Sequence, residues 1–331
     1  MKKMLFLTLA LAIAATLATQ ARAGEAKYVM RFNHVQTATE PYHLAWEDWA
    51  KKVSERTNGE VRIEIFHSAQ LGVEEDIIEQ MRMGAPVGQS SDPARMGNYV
   101  KEFAMMNLPY FVDTLDEVEK LGDSPSIQKW QKQLEDQHNI HILSFFYCQG
   151  FRQLYSNVPI KTPADAKGLR IRAAPAQAWQ ELVRSLGGTP VTIPYVEIYS
   201  ALQTKAVDGS ENGYVPGYHA SMYEVAKYIN ETNHLLQVNT CITSAEWFRS
   251  LPVEYQKIID EECQAAGKKV SYEIVNKLSA EYKQMFKDKG VTIIDGADMD
   301  IEAFKASSKS AYEALGLLEA RDAVYKEIGK K

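Results

Sequence analysis

The sequence is short of the groups on which most enzymes and metalloproteins are built. Its 331 residues include three cysteines, Cys148, Cys241 and Cys263, with neither a CxxC pair nor a metal-like spacing among them. The seven histidines are scattered apart from His138 and His141, and with no third ligand nearby that pair is expected in a solvated turn, not on a metal. No GxSxG elbow, HExxH, P-loop or GxGxxG is present, which removes the commonest signatures of nucleophilic, zinc-dependent and nucleotide-dependent chemistry. Carboxylates are plentiful, but a sequence does not place two across a cleft, so a glycosidase is neither supported nor excluded. No catalytic residue, metal or cofactor is therefore expected.

Two further things are missing. One is any long apolar run beyond the first residues, where Lys2 and Lys3 precede an apolar stretch from Leu5 to Ala15 broken only by Thr8. That stretch is too short to span a membrane, which takes ~20 residues, and Ala21-Arg22-Ala23 follows it with small residues at the two positions a signal peptidase reads. Residues 1–23 are thus expected to be a cleaved signal peptide, with Gly24 starting a periplasmic chain. No cysteine follows to carry a lipid anchor. The other missing feature is basic charge: the formal net charge is −6, and cleavage would remove three basic residues and no acid. Nucleic acid and anionic membrane surfaces are poor partners for such a chain. In an oxidising compartment three cysteines leave at least one thiol unpaired within the chain. Buried, inert cysteines are expected, with a Cys148–Cys241 bridge left open.

What is present is ordinary globular composition, 45% hydrophobic and 24% charged, at a length that suits two lobes. Strand and helix patterns alternate. Tyr28, Met30 and Phe32 share one strand face, Ala45, Trp49 and Val53 one helical stripe, and Val61, Ile63 and Ile65 a second strand face. A helix from about Glu74 to Met83 follows, and this β-α-β-α opening predicts an α/β fold with a largely parallel sheet covered on both faces. Ile140–Tyr147, Gln153–Ser156, Leu169–Ala173, Val191–Ile193 and Val238–Thr243 read as separate strands. From Pro252 to Lys289 a helical pattern runs with one interruption at Gly267; at ~1.5 Å per residue it is ~55 Å long and could bridge two lobes.

The informative stretch runs from Gln149 to Gly217. On the strand Leu169–Ala173, Leu169, Ile171 and Ala173 share one face while Arg170 and Arg172 share the other. From the pattern alone both arginines fit a solvated or salt-bridged face. Arg172, however, ends the strand, and in open α/β sheets ligands bind beyond the carboxyl ends of strands. A guanidinium there presents a planar fork of donors that matches a carboxylate.

Gly168-Leu-Arg-Ile-Arg172, Pro194-Tyr-Val-Glu-Ile-Tyr-Ser-Ala-Leu-Gln203 and Ala206-Val-Asp-Gly-Ser-Glu-Asn212 together resemble the substrate-binding subunits of TRAP transporters, the tripartite ATP-independent periplasmic systems. Ser68-Ala-Gln-Leu-Gly72, Gly150-Phe-Arg152 and Thr232-Asn-His234 extend the resemblance over nearly the whole mature chain. It implies a two-lobed solute-binding fold with crossing strands and a lobe-spanning helix. The implied lobes are residues 24–149 with about 238–277, and about 150–237 with 278–331. It also implies a monomer that closes over a small organic acid and delivers it to small and large integral membrane subunits. A ligand-presenting sensory protein, or less readily a periplasmic enzyme, is the alternative.

By this resemblance Arg172 clamps the ligand carboxylate, with Arg152 and Asn212 completing the anion pocket. Glu74, Asp92 and Arg95 match places where family members reach polar ligand groups, although a helix-start charge or turn cap explains them equally. Tyr195 matches an aromatic position that stacks on ligand, with core packing as its rival. Many family members have a proline soon after the clamp arginine and a Gln-Glu-Asn-Pro ending; this chain has Arg172-Ala-Ala-Pro175 and Ser210-Glu-Asn-Gly213. Trp179, Tyr195, Tyr214 and Tyr218 surround these segments, and such an aromatic wall leans towards a flatter, less polar acid.

Overall fold

A computed structural model of the protein describes residues 26–330; the expected signal peptide lies outside the described residues. Nine strands form one sheet in the order β2-β1-β3-β8-β4-β7-β5-β6, with β9 also on β8. They are β1 Tyr28–Asn33, β2 Val61–Phe66, β3 Val87–Ser91, β4 Ile140–Ser156, β5 Arg170–Ala173, β6 Thr189–Thr192, β7 Gly209–Asn212, β8 Tyr228–Ser244 and β9 Thr292–Ile294.

The sheet is mixed, which corrects the expectation of a largely parallel one. Each wing is parallel: β1 pairs with β2 and β3, and β5 with β6 and β7. The centre is antiparallel, because β4 and β8, 17 residues each, run past one another and join the wings. The two strands read separately at 140–147 and 153–156 are one. Gly150, at a φ of +79°, and several register shifts against β8 bend it between the wings, which hides its continuity from a period-2 reading.

Each lobe has a core of its own beside the central one. In the first, Met30 and Phe32 of β1 meet Trp46, Trp49 and Val53 of the helix Pro41–Arg56, with the Phe32 ring 5.2 Å from that of Trp49. Both indole N–H groups donate inside the core, Trp49 to the Ile259 carbonyl at 3.1 Å and Trp46 to Cys241 Sγ at 3.3 Å. In the second, Tyr155, Ile198, Leu202, Met222, Ile229 and Phe286 pack together. All three cysteines are free and buried, so Cys148 and Cys241 are not bridged. His141 departs from the expected solvated turn: its ring stacks on Phe248 at 3.8 Å between Glu135 and Asp260.

The long helical pattern is helical throughout, as Val253–Glu273, a π turn at Ile274–Leu278, and Ser279–Asp288. Gly267 does not interrupt it. The missing side chain there admits β4: a Cβ at Gly267 would lie 2.2 Å from the Phe146 carbonyl oxygen and 2.6 Å from the Tyr147 ring. Gly267→Ala is accordingly expected to destabilise the protein by about 3 kcal/mol, since neither neighbour has room to retreat. A urea transition with an unchanged midpoint would contradict this packing. Ser279 Oγ donates to the carbonyl of Ile274 at 2.8 Å across the π turn, and a Cβ at Gly150 would come within 2.9 Å of that Oγ. The bend in β4 and the irregular turn of the helix therefore lie against one another, and π turns often mark functional places.

Candidate functional site

Strand register assembles the site. Arg172, next to last in β5, pairs with Ser210 of β7, and Asn212 of β7 pairs with Gln153 of β4, the neighbour of Arg152. The three second-lobe residues expected at a carboxylate therefore come from three adjacent strands. All are buried: Arg152 is 5% exposed, Arg172 2% and Asn212 0%.

The three buried arginines differ in what holds them. Arg95 is engaged on all three nitrogens: Nη2 donates to Glu74 at 2.7 Å, Nε to Glu75 at 2.8 Å, and Nη1 to Asp92. Burial works against its charge, but these three carboxylates outweigh it and raise its pKa. Arg152 is bound by Glu211, with Nη2 2.8 Å from Oε1 and 2.9 Å from the backbone oxygen, and Nε on Oε2. Burial resists ionisation of Glu211, yet the Arg152 guanidinium beside it, helped by His234, holds its carboxyl down at about 2. Arg172 has no such partner among the described residues. Its Nε donates to the Ile193 carbonyl at 2.8 Å, and this is its one hydrogen bond. Burial pulls its pKa down to about 10; Glu211 and Glu74 support its charge while Arg95 and Arg152 oppose it. The surface Arg170, on the same strand, is an ordinary exposed pair with Asp208 at 2.9 Å.

Around Arg172 the remaining expected residues take different places. The Tyr195 ring lies 5.9 Å from its guanidinium, and the Tyr195 hydroxyl is 3.5 Å from Asn212 Nδ2. Asn212 Oδ1 accepts from the Gly213 amide at 3.0 Å, which orients the side-chain amide. Trp179 lies under Arg152, 5.2 Å from ring to guanidinium, and its indole N–H donates to Asp92 Oδ1 at 3.2 Å. That bond joins the end of first-lobe β3 to the second-lobe helix Gln177–Ser185, and Thr39 meets His219 across the same seam at 3.1 Å. The lobes are closed on one another. Asp92 also caps the turn Pro93–Met96 through the Arg95 amide at 2.9 Å, and Glu74 opens the helix Glu74–Arg82. The cap and charge explanations for these acids hold alongside their place at the cleft. Burial pushes the Glu74 carboxyl up to about 7, although Arg95 works against this.

Tyr214 is not brought to the group. Its hydroxyl donates to Glu231 Oε1 at 2.7 Å and its ring packs 6.0 Å from Phe286, so it belongs to the second-lobe core. Glu211 was missed from sequence, although it stands inside the quoted Asp-Gly-Ser-Glu-Asn motif. Its place beside Asn212 in that motif was the signal the sequence offered.

Comparison with known proteins settles the family. The model of bacterial extracellular solute-binding protein family 7 matches residues 32–316. The chain belongs to that family. A solute-binding protein of Chromohalobacter salexigens is 32% identical over 276 residues, 82% of this chain and 80% of that one. A TRAP periplasmic solute-binding protein of Escherichia fergusonii, solved apo and open, is 31% identical over 90% of this chain and 99% of its own, with a TM-score of 0.78. One from Ochrobacterium anthropi, solved with bound L-fuconate, is 28% identical over 91% and 99%, with a TM-score of 0.85. This family-7 chain is a two-lobed periplasmic-type solute-binding protein for transport, not an enzyme. Among the described residues no helix is long and apolar enough to cross a membrane, and no group of three metal-ligating side chains occurs.

Proposed function

We propose that the protein captures a small organic acid in the periplasm through an arginine–carboxylate clamp centred on Arg172. It then passes the acid to the small and large membrane subunits of a TRAP transporter for uptake driven by an ion gradient. The observation that carries this reading is the unequal treatment of the three buried arginines. Arg95 and Arg152 have carboxylates of their own, whereas among the described residues Arg172 has a backbone carbonyl on Nε and nothing on Nη1 or Nη2. A buried guanidinium without an anion is costly unless a ligand supplies one.

In this reading the two Nη groups of Arg172 hold the ligand carboxylate bidentately. Asn212 adds its amide, and Arg152, fixed by Glu211, offers its one unengaged Nη1. Tyr195 covers the head group and Trp179 seals the seam against Asp92. The signal peptide 1–23 is removed on export and the chain works as a monomer. The lobes are 24–149 with about 238–277 and about 150–237 with 278–331, which lets β4, β8 and the π turn flex between them. A ligand that prefers the closed lobes shifts the equilibrium towards them in proportion to that preference.

Thermal shift against paired compounds tests the clamp. A bound acid at ~1,000 times its Kd stabilises the protein by ~4 kcal/mol. The primary amide of the same acid is expected to give no shift at that concentration. Equal shifts from acid and amide would remove the carboxylate from the account.

A further inference from the structure

The clamp accounts for how an acid is gripped, and a second group of side chains bears on how long it stays. Asn212 ends β7, and the helix Tyr214–His219 starts two residues later. That helix is tied to the anion pocket, because the Tyr195 hydroxyl donates to the Pro216 carbonyl at 3.4 Å. Its last residue, His219, is engaged on both ring nitrogens. Nδ1 lies 3.1 Å from Thr39 Oγ1 of the first lobe, and Nε2 lies 2.9 Å from the Tyr282 hydroxyl. Tyr282 stands in the first turn of the helix Ser279–Asp288, directly after the π turn.

Each partner is fixed by its own surroundings. Thr39 sits in a tight turn, where the Thr37 amide donates to Glu40 Oε1 at 2.9 Å and the Glu40 amide to the Thr37 carbonyl at 3.2 Å. The helix Pro41–Arg56 begins immediately afterwards. The Tyr282 ring packs 5.5 Å from the imidazole and 5.4 Å from the Tyr218 ring. Burial pulls the pKa of His219 below the usual 6.5, so the ring is neutral at pH 7.5. A neutral imidazole has one donor and one acceptor, and a hydroxyl answers either, so both bonds hold in either tautomer. The bond to Tyr282 does not involve the first lobe. The bond to Thr39 does, and it exists only while the lobes meet.

We infer that His219 is a positioning residue for solute retention: it touches no part of the acid, but latches the second lobe to Thr39 of the first and so slows release. This rests on the Arg172 reading, since the lobes must close over that site for a bond at the seam to hold the acid in. A bond made in the closed form and absent from the open one favours the closed form by its own net worth. For one neutral hydrogen bond, that slows opening ~3–10-fold.

Stopped-flow tryptophan fluorescence at pH 7.5 tests the latch. The probe is whichever of succinate, pyruvate, L-galactonate, D-glucuronate, L-glutamate and benzoate gives the parent its largest thermal shift. Thr39→Val and His219→Phe should each raise the dissociation rate ~3–10-fold and leave the association rate within ~2-fold, because the bond forms after encounter. Thr39→Ser restores the hydroxyl and should release within ~2-fold of the parent. The double variant of Thr39→Val and His219→Phe should release no faster than His219→Phe alone, since the two residues share one bond. A role confined to the fold of the second lobe would lower the urea midpoint of His219→Phe and leave Thr39→Val at the parental rate. That result would overturn the inference, as would Thr39→Ser releasing as fast as Thr39→Val. The clamp is read separately through Arg172→Met. If that variant loses the probe while Thr39→Val releases it at the parental rate, the clamp stands and the latch falls. If no probe binds, or Arg172→Met binds as the parent does, the clamp fails and the latch with it.

Discussion

Arg172→Met is expected to weaken acid binding at least ~30-fold while leaving the unliganded protein as stable as the parent, or more so. The two effects have opposite signs because Arg172 serves the ligand and not the fold. It is 2% exposed, makes one hydrogen bond to Ile193, and is held at about 10 by burial. Replacing a buried charge by an apolar chain of similar length is often neutral or stabilising. The ligand carboxylate, in contrast, would enter a closed site with its partner gone, which costs ~2–5 kcal/mol. Arg172→Lys should recover part of the affinity, since it restores the charge without the planar fork. Calorimetry and urea unfolding read the two effects separately. A variant that binds normally would refute the clamp, and one that loses most of its stability would make Arg172 a structural residue.

Glu211→Gln should do the reverse and strike at stability first. Glu211 is fully buried and engages Arg152 through both carboxylate oxygens and its carbonyl. Removing its charge strands the Arg152 guanidinium, a loss of ~3–5 kcal/mol. The folded-state pKa of about 2 lies below the ordinary 4.5. Its contribution, ~3 kcal/mol at 1.36 kcal/mol per unit, is therefore complete above about 4.5 and lost as pH falls towards 2. The parent should lose stability across that window, and Glu211→Gln should show a flatter profile there. Adding Arg152→Met to Glu211→Gln should restore part of the stability, because the stranded charge is gone. Additive losses in the double variant would mean that the two residues are not a unit.

What could be read from the sequence follows the range of the interactions. The faces of β1 and β2, the helix that covers them and the position of Arg172 at a strand end are local patterns, and the periods of 2 and 3.6 expose them. The continuity of β4 was hidden because Gly150 bends it where it changes lobes. The start of β8 at Tyr228 was hidden because its first turns bury Asn230, Thr232 and His234 in place of an apolar run. The state of each arginine was beyond reach for another reason. Arg152 finds Glu211 59 residues away, Trp179 finds Asp92 87 residues away, and Arg95 finds Glu74 from the preceding helix. No spacing rule relates such partners, so the resemblance could single out Arg172 as the clamp but could not show that Arg95 and Arg152 have carboxylates of their own. Tyr214 shows the same limit from the other side, since its nearness to Asn212 in sequence did not carry its ring to the cleft.

The most direct measurement is a crystal structure of the protein with the acid that gives the largest thermal shift. The account predicts both carboxylate oxygens at ~2.7–2.9 Å from Nη1 and Nη2 of Arg172, with Arg152 still on Glu211. A carboxylate seated elsewhere, with the Nη groups of Arg172 left empty, would contradict it.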